Sequence, residues 1–432
     1  MVKVCFVAEN AWPAIDPHAK KTAGGMETQA WAFAQALCQL HECEVSFVVC
    51  SDETPRAASA DGIPVDGVLV RNRPAFFENL RRTVAASCRI QHRPPWIHIR
   101  RWTWHLLWQL PLLVLTRPFR SDQAERFARR DFYCSLSADI VIAFGVSRIT
   151  TDIITAAKKA GKRAIISCAS NDDLRAEYHP GSDFINDYGE PAADVAEGLQ
   201  SADAIFVQTE LQQQLAERNL GISAHLLPNP ILSEWTRWAE QSEALLNAAG
   251  LSVGDIPERF VLWTGRTDHF HKRPHLALQV AATLPDIPFW LVLNVTNRDI
   301  ENELRSTATP NVRFLKPLPH PSFVALMSRA TVFLNTGSAA HEGFPNVFLQ
   351  AGVLGIPVAS AAADFGILSS TGIGKAFADD IDALTRFVRE SLNTPTDPES
   401  VTLRTLRLQS LFGPGAIAEK LWQLLQSICN ME

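Results

Sequence analysis

No two of the eight cysteines, at positions 5, 38, 43, 50, 88, 134, 168 and 429, are spaced C-x-x-C. A zinc ribbon or dithiol redox site therefore lacks its ligands. Several of these thiols sit in apolar runs, where they act as small hydrophobes, and a reducing cytoplasm without disulfides is expected. A basic surplus is also missing: 40 Lys and Arg against 46 Asp and Glu give a net charge of -6, which argues against a general nucleic-acid binder. The first ten residues, MVKVCFVAEN, have no basic start, apolar stretch and small-residue cleavage site, so they read as a buried strand and not as a secretory signal. Neither a GxSxG elbow, a P-loop nor a kinase signature occurs, and hydrolase and phosphotransfer chemistry lose their usual motifs. Low-complexity tracts and short-period repeats are absent too.

What is present is length and rhythm. A chain of 432 residues exceeds what one hydrophobic core usually organises, so two domains are expected. Short β-branched runs alternate with segments of helical period, the pattern of parallel sheets covered on both faces. In the first half the predicted strands are VKVCFVA, EVSFVV, GVLVRN, ADIVIAF, RAIISC and ADAIFVQ; in the second, RFVLWTG, FWLVLN, VRFLKP, TVFLNT and IPVAS. Between them HLLPNPILSEW, with two prolines around Asn229, marks a hinge near residue 230. The expected fold is α/β: two Rossmann-like domains, residues 1–230 and 231–412, facing a cleft where the carboxyl ends of their strands would bind ligand.

Two glycine-bearing turns precede helices. In TAGGMETQAWAFAQAL, Ala30, Phe33, Ala34 and Leu37 form a helical stripe, so Gly24 and Gly25 stand where free N–H groups favour an anion; a plain tight turn is the alternative. In WTGRTDHFHKRPHLALQVAA a strand ends at Gly265, Arg266 follows, and Lys272 precedes Pro274 at the first helical position. A guanidinium fork and an ammonium point charge six residues apart suit one diphosphate, against the alternative of a solvated loop. Further on, HEGFPNVFLQAGVLGIPV places Glu342 after the strand TVFLNT and ahead of a helix whose buried face is Val347, Phe348, Ala351 and Leu354.

The order GR, then K six residues later, then EGFPNVFLQAG and GIPV, resembles the retaining family 4 glycosyltransferases of the GT-B architecture, and GGMET fits the same pattern. The resemblance runs from Val2 to about Leu392. It implies that Glu342 binds donor-sugar hydroxyls and that the backbone at Gly343, Phe344, Asn346 and Val347 lies along sugar and phosphate. It further implies that Arg266 and Lys272 grip the diphosphate without a metal or other cofactor, with Gly24 and Gly25 closing over it, and that residues 413–432 form a helix crossing back to the first domain. Two departures stand out. Gln350 occupies the place of a second glutamate that would accept from ribose, and a neutral acceptor binds more weakly than a charged one. Where the resemblance implies a histidine, near the end of the strand RAIISC, the chain has Cys168 and its neighbours. Asp172 and Asp173 next to it could bind acceptor hydroxyls or cap a helix. His269, His271 and His275 crowd the Arg266 loop without a ligand set for metal, and ADDID at 378–382 reads as a helix cap.

Residues 79–121 hold eight arginines, no acidic residue and four of the eleven tryptophans, while WHLLWQLPLLVLT is too short, and too interrupted by Pro111, to span a bilayer. Trp96, Trp102, Trp104 and Trp108 among basic residues fit the headgroup boundary; the alternative is an apolar face packed on the first domain. Together these features predict a retaining glycosyltransferase. It would be cytoplasmic and peripheral to the membrane, with a nucleotide-diphosphate sugar as donor and a glycan or lipid-linked acceptor. A sugar-nucleotide epimerase or hydrolase of the same architecture, or a non-catalytic binder of such nucleotides, are the alternatives.

Overall fold

The computed structural model describes all residues except 17–23, 41, 51–58, 69–79, 81–83, 85–86, 91–96, 100–101, 116–121, 187–188, 363, 395–396 and 431–432. Sixteen strands follow in chain order among the described residues. The first half contributes β1 Val2–Val7, β2 Cys43–Cys50, β3 Ser59–Ala60, β4 Ile63–Val68, β5 Cys88–Ile90, β6 Ile97–Ile99, β7 Ile140–Phe144, β8 Arg163–Ser167, β9 Ala204–Val207 and β10 His225–Leu226. The second half contributes β11 Val261–Arg266, β12 Phe289–Asn294, β13 Val312–Leu315, β14 Val332–Asn335, β15 Val358–Ser360 and β16 Gly374–Ala376.

The first sheet has the order β10-β9-β8-β7-β1-β2-β4-β3, parallel except for β3 on β4, and the second, wholly parallel, has β13-β12-β11-β14-β15-β16. β5 and β6 form a separate antiparallel hairpin. All five residues of β7 are buried, as expected of a strand covered on both faces. Alternation then sorts each strand between two cores. Val4 and Phe6 pack with Phe47 and Phe144 on one face, Cys5 and Val7 with Val141 on the other. In the second sheet Leu262 joins Trp290 and Phe333, whereas Val261 and Trp263 join Phe289 and Leu291.

The predicted strand GVLVRN is shifted: β4 spans Ile63–Val68, its pairing with β2 runs over Val65–Val68, and 69–72 lie outside the described residues. The chain crosses between domains where Ile231 N–H donates to Phe412 O at 2.8 Å. The last helix, Pro414–Cys429, returns to the first domain, where Ile417, Leu421, Leu425 and Ile428 pack in the core beside Trp31, Phe33 and Phe47. Each sheet therefore has a point where strand order reverses, between β1 and β7 and between β11 and β14, and ligand crevices form at such points.

Candidate active site

The end of β11 is shaped by one missing side chain. A Cβ on Gly265 would come within 2.7 Å of the Trp263 ring and 2.9 Å of Lys272 Cβ, so only glycine lets the following loop fold back over the strand. Asp268 fixes that loop by accepting from the His271 and Lys272 amides, both at 2.7 Å. Thr336, just past β14, then ties the loop to the neighbouring strand: its hydroxyl accepts from Trp263 Nε1 at 2.8 Å and donates to Lys272 O at 2.6 Å. Arg273 takes the left-handed conformation (φ 48°) ahead of the helix Pro274–Ala282 and donates from Nε to Thr336 O at 2.8 Å and from Nη2 to Asp379 at 2.7 Å. A non-glycine residue in that region stores strain.

Lys272 Nζ meets both oxygens of Glu342, at 2.5 and 2.7 Å. His271 Nε2 lies 3.5 Å from the same carboxylate, and Gly337 leaves room for it, since a Cβ there would stand 2.5 Å from Glu342 Oε2. Burial alone would raise this carboxyl, but the Lys272 charge, followed by His271, brings it down to about 2. Arg266 hydrogen-bonds His271 Nδ1 and keeps its side chain about half exposed, 3.8 Å from Asp268. An ammonium has three N–H groups; with two on Glu342, one remains for a ligand oxygen. Glu342 and Lys272, expected on sugar and diphosphate respectively, are thus held by each other.

The first domain closes against this loop. Gly24 caps the helix Gly25–Cys38, and a Cβ on Gly25 would stand 3.8 Å from Asn346 Nδ2. The glycine turn and the donor loop thus face each other, and Asn229, from the hinge, donates to Asn346 Oδ1 at 2.7 Å. A chain of carboxamides runs between the domains: Gln208 Nε2 donates to Gln29 Oε1 at 2.7 Å, and Gln208 Oε1 accepts from the Phe344 amide at 3.0 Å. That amide, implied to lie along the donor, is engaged by Gln208 here. Gly343 abuts the first domain so closely that a Cβ would sit 2.7 Å from Ala169 O, and Asn171 Nδ2 reaches the Ala339 and Ala340 carbonyls. Val347 is half-buried against the second core.

Asp172 pairs with Arg175 at 2.8 Å. Asp173 accepts from the Ala169 and Ser170 amides at 2.6 and 3.0 Å, capping the 3-10 turn Asn171–Leu174; burial raises its carboxyl to about 6 despite these bonds. Cys168 is fully buried and its thiol is pushed well up by burial, so it packs and does not reach the cleft. Gln350 lies beside His320, its Nε2 2.8 Å from the imidazole Nε2. Of the three histidines in the loop, His269 faces Glu303 at 3.3 Å and lies tilted against His275, ring centroids 5.5 Å apart, and no group of three His, Cys, Asp or Glu that could hold a metal occurs among the described residues. Asp380 caps the helix Ile381–Asn393 by accepting from Ala383 N–H at 2.9 Å. Sequence reasoning took Asn229 only as a hinge marker and His271 only as a poor metal ligand, and it passed over Gln29, Gln208, Asp268, Arg273 and His320. Only Asp268, three residues before His271, carries a local signal, that of an Asx turn.

No family model matches the chain, and no curated protein does. Solved structures do. The catalytic domain of starch synthase IV from Arabidopsis thaliana, bound to ADP and acarbose, superposes with TM-score 0.62 at 14% identity over 99% of both chains. HepE of Anabaena in complex with UDP gives 0.60 at 14%, covering 99% of this chain and 100% of that one. The UDP-GlcNAc 2-epimerase of Methanocaldococcus jannaschii gives 0.52 at 12%, over 99% and 100%. At these identities the likeness is one of fold: the chain has the two-domain architecture shared by GT-B glycosyltransferases.

Proposed function

We propose that this chain is a glycosyltransferase that moves a sugar, with retention of anomeric configuration, from a nucleoside-diphosphate sugar to a glycan or lipid-linked acceptor. The observation that carries the reading is the convergence of Arg266, Lys272 and Glu342 at the strand-order reversal of the second sheet, opposite the Gly25 helix start of the first. Sugar transfer through an oxocarbenium-like state leaves negative charge on the departing diphosphate. Cations fixed there bind the transition state more strongly than the ground state. The site also supplies a carboxylate that stays ionised to about pH 2 and can accept sugar hydroxyls throughout the physiological range. UDP and ADP occupy two of the fold neighbours, which makes both bases worth testing. The experiment is product analysis with uridine, guanosine and adenosine diphosphate sugars and a mixed glycan and polyprenyl-glycan acceptor set. A new glycosidic bond of retained configuration supports the reading, and inverted configuration corrects its mechanism. Isomerised donor would select the epimerase alternative, which the fold equally hosts.

The acceptor side is read from the helix Leu106–Leu115 and the residues before it. Trp102, Trp104, Leu107, Trp108, Val114 and Leu115 are all exposed there, with only Leu106 and Gln109 buried. Trp96, Arg100 and Arg101 lie outside the described residues. No helix among the described residues is long and apolar enough to cross a membrane. Exposed tryptophans within an arginine-rich, acid-free segment suit an anionic lipid surface, at about 1 kcal/mol per arginine near it. Flotation with anionic liposomes is expected at low salt and to be lost when Trp102, Trp104 and Trp108 become serine. Absence of flotation at low salt would leave a soluble acceptor.

A further inference from the structure

A cavity of about 510 Å³ opens between the two domains beside the hinge. Its wall is apolar where Ala32 and Ala36, from the helix Gly25–Cys38, meet Ile231, Leu232 and Pro414. Ile231 and Pro414 belong to the two places where the chain crosses between domains, so the cavity sits where both crossings meet. Its polar edge is made by Gln35, Asp61 and Glu234. Gln35 Nε2 donates to Asp61 Oδ2 at 2.9 Å and to Glu234 Oε1 at 3.1 Å, which uses both of its N–H groups. The other end of the amide, Oε1, is buried without a hydrogen-bond partner. Asp61 stands in the turn between β3 and β4 of the first domain; Glu234 opens the helix Glu234–Glu240, whose Trp235 packs in the second core. Neither carboxylate forms an ion pair among the described residues, and Arg237 at the same rim pairs with neither. One amide thus holds two like charges side by side without a counter-charge. A divalent metal ion takes six or more oxygen ligands, which this largely carbon wall does not offer.

We propose that this cavity binds a small organic amine, its ammonium on Asp61 and Glu234 and its carbon chain along Ala32, Ala36, Ile231 and Leu232. An ammonium carries three N–H donors and no acceptor, the complement of an edge that offers carboxylate oxygens and the unpartnered Gln35 oxygen. The inference rests on the cavity and its charges and is independent of the donor reading. Gln35 lies about 15 Å along its helix from Gly25, so the cavity is separate from the donor loop. A bound amine ties Asp61 of the first domain to Glu234 of the second. Because the same helix begins opposite Asn346, that tie also steadies the gap at the donor loop.

The test is titration calorimetry of the full chain with n-butylamine, n-hexylamine and n-hexanol, and hydrogen exchange at saturating hexylamine. Hexylamine should bind about 15-fold more tightly than butylamine, at about fourfold for each methylene laid on the apolar wall. Hexanol has the same chain without the charge and should bind about 10-fold more weakly than hexylamine, or worse. Asp61→Asn and Glu234→Gln keep an oxygen for Gln35 and remove the charge, so each should weaken hexylamine about 10-fold. Exchange should slow at 32–39 and 231–237, the two walls, and at 342–348. Loose pairing of an amine with a chain of net charge -6 would leave both variants binding like the wild type, and that result overturns the inference. So does hexylamine that fails to bind, hexanol that binds as well, exchange slowed only away from the two walls, or calcium that binds where hexylamine does not and is lost in Asp61→Asn. Should a variant fail to fold, the wild type alone decides: affinity that does not rise from butylamine to hexylamine overturns the inference.

Discussion

Lys272→Ala should lower sugar-transfer turnover by ~100-fold or more, and Arg266→Ala by a similar factor. The two variants should nonetheless differ in stability, which separates the roles of the cations. Arg266 is about half exposed at the mouth of the site, so its removal should leave the melting temperature nearly unchanged. Lys272 shares a largely buried ion pair with Glu342, and truncating one partner of such a pair costs about 3 to 5 kcal/mol because the other charge is left uncompensated. The pH dependence should change as well. The native Glu342 carboxyl is held at about 2, below its ordinary 4.5, so it contributes stability that is fully present above about pH 4.5 and is lost as pH falls towards 2. In Lys272→Ala the dominant lowering influence is gone and burial raises the carboxyl instead, so that acid-side loss should disappear. Thermal melts between pH 2 and 6 with turnover at pH 7 check both statements. Unchanged turnover in either variant, with the fold intact, contradicts the leaving-group role.

Gly343→Ala is expected to have the second large effect, through domain closure. The added methyl would lie 2.7 Å from Ala169 O and 3.2 Å from both Gln208 Oε1 and Ser170 Cα, and the nearest of these is backbone that cannot swing aside. The donor loop must retreat from the first domain, and the Phe344 amide loses Gln208. Turnover should drop by ~10- to 100-fold, since a misplacement of about 1 Å in a preorganised site costs on that order. Each domain keeps its own core, so hydrogen exchange should quicken at 342–348, 168–171 and 207–209 and leave β1, β7 and β11 protected. Exchange rising throughout the chain would mean that the substitution unfolds the protein and says nothing about closure.

Much of the fold was legible because each sheet is buried on both faces. Runs such as IVIAF and FWLVLN are apolar without interruption, and that signal is local. The strands it missed, β3, β5, β6, β10 and β16, have two or three residues, too few to show a period. In the site, Arg266 and Lys272 stand out by residue type and by their place after a strand, and the roles given to them and to Glu342 come from the family resemblance. That Lys272 and Glu342 bind each other, 70 residues apart, is set by the return of β14 beside β11 and leaves no trace in either segment. The Gln29–Gln208–Phe344 chain and the Asn229–Asn346 bond depend on how two domains meet, which periodicity does not encode. Asp173 was open between capping and acceptor binding from its spacing alone; its bonds to the Ala169 and Ser170 amides show it capping. Gln350 looked like a weakened acid until His320, brought in from 30 residues away, gave the amide a partner that an acid would suit less well.

The central claim is that Arg266, Lys272 and Glu342 form a nucleoside-diphosphate-sugar site. Thermal shift of the wild-type and Arg266→Ala chains with uridine, guanosine and adenosine diphosphate sugars tests it most directly. Ligand at 100 times its dissociation constant adds about 2.7 kcal/mol of stability. At least one of these donors should therefore raise the melting point of the wild type clearly, and of Arg266→Ala much less at the same concentration. No shift with any of the three, or an equal shift in both chains, would contradict the assignment.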